Sequence, residues 1–376
     1  MKIWFLTGRF GDGGLERVLV ELARAMRTHG FDTRLITGRF HGNAQKLVPP
    51  DVPCSQIAPY GRGLFPFALS RALRDERPDV VFTCANDVAC MMLAIRSIAS
   101  PSTRVVTTQH LSLSGPRLSA TGLHRGKMEA IRLLMHILLP RSDAMVAVSK
   151  ALARNMSHEL SIPEDRIEVI YNPVVTPDME ARIMESVKWP WESDHLPTIV
   201  FVGRLEKVKR VDLLVEAFAS INTQVESRLL IVGTGSEEGA IRQQIREKGL
   251  EEHCALVGYQ PNPLPYIRRS DVLVLPSDYE GFGLVLVEAM ACGTQVISTD
   301  CPDGPAEILG NGRFGQLVPC GNADALASAI IRVLTGQFLI PSEKLVERAQ
   351  SFTLDRSCQA YMSLVARVMD RIHIHA

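Results

Sequence analysis

The chain has 376 residues, 46% hydrophobic and 22% charged, with 41 Lys+Arg balancing 41 Asp+Glu. That length exceeds one comfortable core and, at ~100–200 residues per domain, suggests two; the composition excludes disorder, collagen-like sequence and a small disulfide scaffold. The zero net charge divides unevenly, since residues 1–175 hold 22 basic and 15 acidic side chains and the remainder 19 and 26. A basic N-terminal half reads either as a face for an anionic surface or as a scatter of solvated arginines.

The first apolar run, 3–6, is too short for a signal peptide, and no stretch approaches the ~18 apolar residues of a membrane span. The expectation is a soluble intracellular chain. Its eight cysteines form no C-x-x-C pair, and no His stands at zinc-finger spacing; they read as small core hydrophobes. In chain order, 2–7 is a strand, and Leu15, Val18, Leu19, Leu22 and Met26 follow at helical spacing. Short buried strands are expected at 33–37, 80–83, 104–108 and 145–148, then again at 198–202, 229–232, 254–257, 272–275 and 295–298, with helical patterns between them. Two series of alternating β and α elements predict an α/β protein of two doubly wound domains. The seam is expected near Asn172-Pro173, where periodicity weakens and prolines accumulate. Tyr361, Leu364, Val365, Val368 and Ile372 mark a last amphipathic helix. In such folds ligands gather where strands end, and facing domains would share a cleft there.

Four strand-end motifs carry chemistry. Gly8-Arg9-Phe10-Gly11-Asp12-Gly13-Gly14-Leu15-Glu16 reads as a turn between the first strand and helix, where adjacent glycines admit a ligand and helix amides favour an anion. It lacks G-x-G-x-x-G spacing, and Asp32 begins the second strand instead of ending it, which argues against a dinucleotide. Gly233-Thr234-Gly235-Ser236-Glu237-Glu238-Gly239 is a second such turn, with no P-loop signature. After strand 198–202, Arg204, Lys207, Lys209 and Arg210 place four cations within seven residues, suited to a diphosphate or simply to solvent. The most specific stretch is 276–293: Glu280 on a loop, glycines 281 and 283, then a helix from about Leu284 with Glu288 one turn in. A carboxylate in so apolar a stretch needs a ligand or partner. A glycosidase pair is disfavoured, because a loop and a helix separate Glu280 from Glu288.

Glu280-x7-Glu288, Arg204 with Lys209, the Gly13-Gly14 turn and Val169-Ile170-Tyr171-Asn172-Pro173-Val174 together resemble the retaining GT-B glycosyltransferases of family GT4. The loop from Cys301 to Leu309 resembles a bacterial subgroup that builds surface polysaccharides, lipopolysaccharide cores and lipid-linked oligosaccharides. The resemblance implies two Rossmann-like domains facing a central cleft: an acceptor domain over 1–175, a nucleotide-sugar domain over 176–352, and a helix in 353–376 returning to the first. It implies that Arg204 and Lys209 hold the donor diphosphate and that Glu288 binds the ribose. Glu280 with the amides of Gly281, Phe282, Gly283 and Leu284 would hold the transferred sugar. Tyr259 would lie near the base, Gly14 would allow close approach of phosphate or acceptor, and His110, at a strand end, would lie near the sugar. The donor, UDP-linked by preference, is a substrate; no cofactor and no metal are expected, and no D-x-D motif occurs. Front-face substitution with retention is the implied chemistry. The alternatives are a silent sugar-nucleotide or glycan-binding protein that keeps the fold, and a GT-B epimerase.

Residues 117–141 interleave Arg117, Arg125, Lys127, Arg132 and Arg141 with Leu118, Leu123, Met128, Ile131, Leu134, Met135 and Leu138. This is the pattern of a helix lying on an anionic leaflet, though a core helix has the same spacing. With the basic half, it points to a lipid-linked or glycan acceptor reached at the inner face of the cytoplasmic membrane, with no nucleic-acid partner.

Overall fold

The computed structural model describes residues 1–370 apart from 12, 42–43, 59–61, 114–121 and 193–195, with the backbone alone at 46–47, 62, 122–125 and 127–128. It forms two compact units, Met1–Pro173 together with the chain from Leu354 onward, and Val174–Thr353.

The first unit is a seven-stranded sheet of β1 (Lys2–Phe10), β2 (Asp32–Phe40), β3 (Cys54–Gln56), β4 (Val80–Thr83), β5 (Arg104–Gln109), β6 (Ala144–Ala147) and β7 (Ile167–Val169). All neighbours are parallel and the order is β3-β2-β1-β4-β5-β6-β7. The order reverses between β1 and β4, so right-handed crossovers put the helix before the reversal and the helices after it on opposite faces. α1 (Gly14–Thr28) packs with the C-terminal helix Leu354–Asp370 on one face; α2 (Phe65–Glu76), α3 (Asn86–Ala99), α4 (Gly122–Leu138) and α5 (Lys150–Leu160) lie side by side on the other. Tyr361, Leu364, Val365 and Val368 of the C-terminal helix are buried, and Ile372 lies outside the described residues. The Tyr361 ring meets Phe82 edge-on at 5.3 Å, and Phe82 stacks on Phe5 at 5.2 Å, which ties the helix to the two central strands. Each such fully buried side chain contributes roughly 1.5–3 kcal/mol.

One turn is shorter than its glycines suggest. Gly8, Arg9 and Phe10 continue β1, paired in register with the end of β2 (Thr7↔Thr37, Arg9↔Arg39, Phe10↔Phe40), and α1 begins at Gly14. Gly38 serves close packing of strands here: a Cβ on it would sit 2.6 Å from the Gly8 carbonyl oxygen.

The second unit is a six-stranded parallel sheet of β8 (Thr198–Val202), β9 (Arg228–Val232), β10 (Cys254–Gly258), β11 (Val272–Leu275), β12 (Gln295–Thr299) and β13 (Gln316–Val318), in the order β10-β9-β8-β11-β12-β13. Its helices are α6 (Met179–Ile183), α7 (Val211–Asn222), α8 (Glu238–Glu247), α9 (Leu264–Arg268), α10 (Leu284–Ala291), α11 (Pro305–Ile308), α12 (Ala323–Leu334) and α13 (Ser342–Ala349). The core between the sheet and α7, α8 and α12 holds Phe201, Leu214, Phe218, Ile231, Val274 and Ile330. The strand order reverses between β8 and β11, and the loops leaving those two strands define the crevice where open α/β sheets bind ligands.

Candidate functional site

The loops at that crevice are laced together by backbone hydrogen bonds. Gly203 N–H donates to Val232 O (3.0 Å), Leu205 N–H to Thr234 O (2.9 Å), Gly233 N–H to Gly258 O (2.8 Å) and Asp278 N–H to Val208 O (2.9 Å). The lacing requires glycine. Gly233 has φ +141, and a Cβ there would lie 1.9 Å from the Gly203 carbonyl oxygen; one on Gly235 would lie 2.3 Å from that of Leu205. Loops fixed by their own main chain present side chains without further ordering cost.

Arg204 follows β8 and is exposed, and its guanidinium meets no carboxylate among the described residues. Lys209 ends a 3₁₀ turn (Lys207–Lys209) and places Nζ 2.5 Å from Glu280 Oε1 across the crevice. Ser277 Oγ donates to the same carboxylate oxygen at 2.7 Å. Arg210 is committed elsewhere: it pairs with Asp212 (3.1 Å) and Asp278 (3.2 Å) at φ 50, and the hydrogen bond it donates to Asp212 is the main cause holding its pKa up. Of the four clustered cations, Arg210 is therefore structural.

Gly281, Phe282 and Gly283 are buried, and Gly283 (φ 93) supplies the left-handed turn into α10, a conformation only glycine adopts cheaply. Glu288 stands on the second turn of that helix, half-buried and with a partner. Tyr259 follows β10 and is exposed. The loop after β12 closes the group. Glu280 and Asp303 form an isolated parallel bridge, and a Cβ on Gly304 would lie 2.1 Å from Phe282 O, so the two backbones are in direct contact. Asp303 is held at φ 87, a strain that persists only where the surroundings enforce it.

Arg348 helps to enforce it, and no local sequence signal marks that role. From α13 it donates to Glu307 O (2.8 Å) and Ile308 O (3.0 Å), the C-terminal carbonyls of α11. Its guanidinium lies 5.4 Å from the Phe314 ring and 4.8 Å from Phe352. Phe352 in turn meets Phe282 edge-on at 5.5 Å.

In the first unit, His110 stands one residue past β5, its Nε2 3.1 Å from Thr108 Oγ1. Its Nδ1 is buried without a hydrogen-bond partner among the described residues. Burial lowers its pKa to about 4, and the Asn172 side chain offsets part of that; the ring is neutral at pH 7. Gly14 opens α1, while the Gly11 amide of the same turn donates to Glu16 Oε1 at 2.9 Å, so the turn carries an internal carboxylate.

The helix expected at 117–141 is α4. Arg117 and Leu118 lie outside the described residues, and nothing further concerns the side chains of Leu123, Arg125, Lys127 and Met128. Its inward face holds Met135, with Ile131 and Leu138 half-buried. The outward face is apolar: Ala130, Leu133 (62% exposed), Leu134 (47%) and Ile137 (48%) share it at i, i+3, i+4, i+7. Arg132 turns to Glu129 (3.2 Å) and Glu159 (3.4 Å), which removes it from the expected row of free cations. No helix among the described residues is long and apolar enough to cross a membrane.

The chain matches the family description "Glycosyltransferase Family 4" over residues 12–177 and "Glycosyl transferases group 1" over residues 185–352. It is 29% identical over 338 residues to the N-acetyl-alpha-D-glucosaminyl L-malate synthase of Bacillus anthracis, covering 87% of this chain and 86% of that one. It is 27% identical over 311 residues to the lipopolysaccharide 1,6-galactosyltransferase of Escherichia coli K12, covering 80% and 79%. Among solved structures, a lipopolysaccharide outer core galactosyltransferase superposes with a TM-score of 0.75 at 23% identity, covering 98% of this chain and 99% of that one. An Anabaena protein solved with UDP-glucose does so at 0.78 and 19%, covering 99% and 100%. These superpositions establish a common fold.

Proposed function

Because the chain belongs to the family 4 glycosyltransferases of GT-B fold, we propose that it moves a hexose or N-acetylhexosamine from a UDP-sugar to a hydroxyl of a lipid-linked or surface-polysaccharide acceptor, with retention and without a metal. The observation that carries the reading is the crevice of the second unit. An uncommitted Arg204 and a Lys209 shared with Glu280 stand on rigid loops at the strand-order switch. Two cations there would neutralise the charge that develops on a departing nucleoside diphosphate, a contribution worth roughly 10²–10³ in rate per lost donor. Glu288 would take the ribose hydroxyls. Glu280 and the amides from Gly281 to Leu284 would hold the sugar, with Tyr259 beside the base. A neutral His110 can donate or accept at one nitrogen, as a contact to a sugar hydroxyl requires. On this reading the leaving phosphate receives the acceptor proton as the new glycosidic bond forms on the same face.

The names of its relatives support the acceptor class: a lipopolysaccharide galactosyltransferase and, at 28% identity over 60% of each chain, a Campylobacter jejuni transferase acting on a diphospho-undecaprenol glycan. The outward apolar stripe of α4 supports peripheral contact with the membrane surface where such acceptors reside. A panel of UDP- and GDP-sugars, read by nucleotide release with and without Arg204→Gln and Lys209→Met, tests the reading. Release from at least one donor, abolished by the pair of substitutions, is expected; release that is indifferent to both would sink it.

A further inference from the structure

Thr-Gly-Arg-Phe occurs twice, at 7–10 and 37–40. The parallel register sets the two copies side by side, Arg9 against Arg39, with Cα atoms about 4.8 Å apart and side chains on one face. A Cβ on Gly8 would meet Val88 of α3 at 3.0 Å, and one on Gly38 would meet Phe65 of α2 at 3.1 Å. By alternation Arg9 and Arg39 point the other way, to the α1 side, beyond the glycine turn. Each copy is braced. The Thr7 hydroxyl donates to Arg9 O and the Thr37 hydroxyl to Arg39 O, and buried Phe10 meets Phe40 edge-on at 5.7 Å.

Both arginines are exposed, and neither guanidinium pairs with a described residue. Other arginines of this unit are matched: Arg34 with Asp32 and Glu76, Arg96 and Arg104 with Asp143. Like charges placed opposite each other on a ladder are destabilising, so the duplicated motif maintains a cost that an external anion would remove. We propose that Arg9 and Arg39 form an oxyanion site that grips a phosphate group of the acceptor. Two guanidinium forks bring two charges and up to four parallel N–H donors, the complement of a phosphate ester. The assignment rests on the reading of the first unit as the acceptor unit, and it adds that the acceptor is phosphorylated.

Pyrophosphate protection of the full chain tests it, with UDP held at saturation so that Arg204 and Lys209 are occupied. Pyrophosphate is expected to raise the melting temperature of the parent. The shift should vanish in Arg9→Gln/Arg39→Gln, fall in each single variant, and persist in Arg204→Gln/Lys209→Met. Without anion, each single variant should melt about 1–3 °C higher than the parent, because repulsion is relieved; arginines with a purely structural role would melt lower. Glucose 1-phosphate, and phosphatidylcholine vesicles carrying phosphatidic acid, separate a soluble from a lipid-borne phosphate, and arginine-dependent binding of either supports the site. A full pyrophosphate shift in the double variant overturns it. A parent that binds no nucleotide yet shows the arginine-dependent shift would remove the transferase reading and leave the anion site standing.

Discussion

Lys209 and Glu280 hold each other across the crevice at 2.5 Å, and the carboxylate oxygen that takes the ammonium also takes the Ser277 hydroxyl. The side chains are only 21% and 11% exposed, so neither charge is well solvated without the other. On the proposed reading, a donor phosphate that recruits Lys209 would weaken its hold on Glu280 and free that carboxylate for the sugar. Lys209→Met should cost about 1–3 kcal/mol of stability, because it strands the carboxylate. Adding Glu280→Gln should recover most of that loss while donor turnover stays abolished. Thermal denaturation and nucleotide release on the same three proteins check this; a double variant as unstable as Lys209→Met would refute the coupling.

Gly233→Ala tests the lacing of the loops. The new methyl would occupy the position of the Gly203 carbonyl at a φ of +141, so the β8 and β9 loops must separate. A loss of more than about 3 kcal/mol is expected, seen as a lower denaturant midpoint. Gly239→Ala, whose Cβ would meet nothing within 4 Å, should be neutral or slightly stabilising and serves as the control.

Strands enclosed on both faces were legible from residue pattern: 80–83, 198–202 and 272–275 have the bounds of β4, β8 and β11. The missed strands are the sheet edges β3, β7 and β13, each of three residues. Cys54-Ser55-Gln56 and Ile167-Glu168-Val169 bury too little to form an apolar run, and pairing to one neighbour, not local propensity, makes them strands. The loops that meet at the crevice of the second unit stand out in the sequence because glycine and charge at strand ends are costly without a use. Arg348 was not, since its partners are carbonyls some forty residues away. The Thr-Gly-Arg-Phe repeat was open to inspection, but its glycine reads equally well as a turn until the β1–β2 register is known.

Arg348→Lys should expose that hidden support. One ammonium cannot serve both the Glu307 and Ile308 carbonyls while lying over two rings. A stability loss of about 1–2 kcal/mol is expected, together with faster amide exchange at 300–308 than in the parent. Exchange unchanged over that segment would show that α11 holds its place without the arginine.

The outward stripe of α4 separates membrane contact from folding. Leu133, Leu134 and Ile137 are largely exposed, so replacing all three with Ser should leave the melting temperature within a degree or two. Co-sedimentation with vesicles rich in anionic lipid should fall at least about tenfold, since each side chain forfeits transfer free energy of kcal/mol order. Undiminished sedimentation of a folded triple variant would exclude this face.

His110 gives a pH dependence whose sign follows from its burial. The folded pKa is about 4 against the ordinary 6.5 of histidine. Between those limits the unfolded chain takes up a proton that the folded chain refuses, so stability falls as pH is lowered from 6.5 towards 4, by up to about 1.4 kcal/mol per pH unit. Below pH 4 both states are protonated and this contribution stops changing; above 6.5 both are neutral and it is absent. His110→Gln removes the titration and keeps a donor and an acceptor beside Thr108 and Asn172. The difference in unfolding free energy between parent and variant should therefore be constant from pH 7 to 8 and shrink or reverse in favour of the variant at pH 5. A difference independent of pH across that range would mean that folding leaves the proton affinity of the imidazole unchanged.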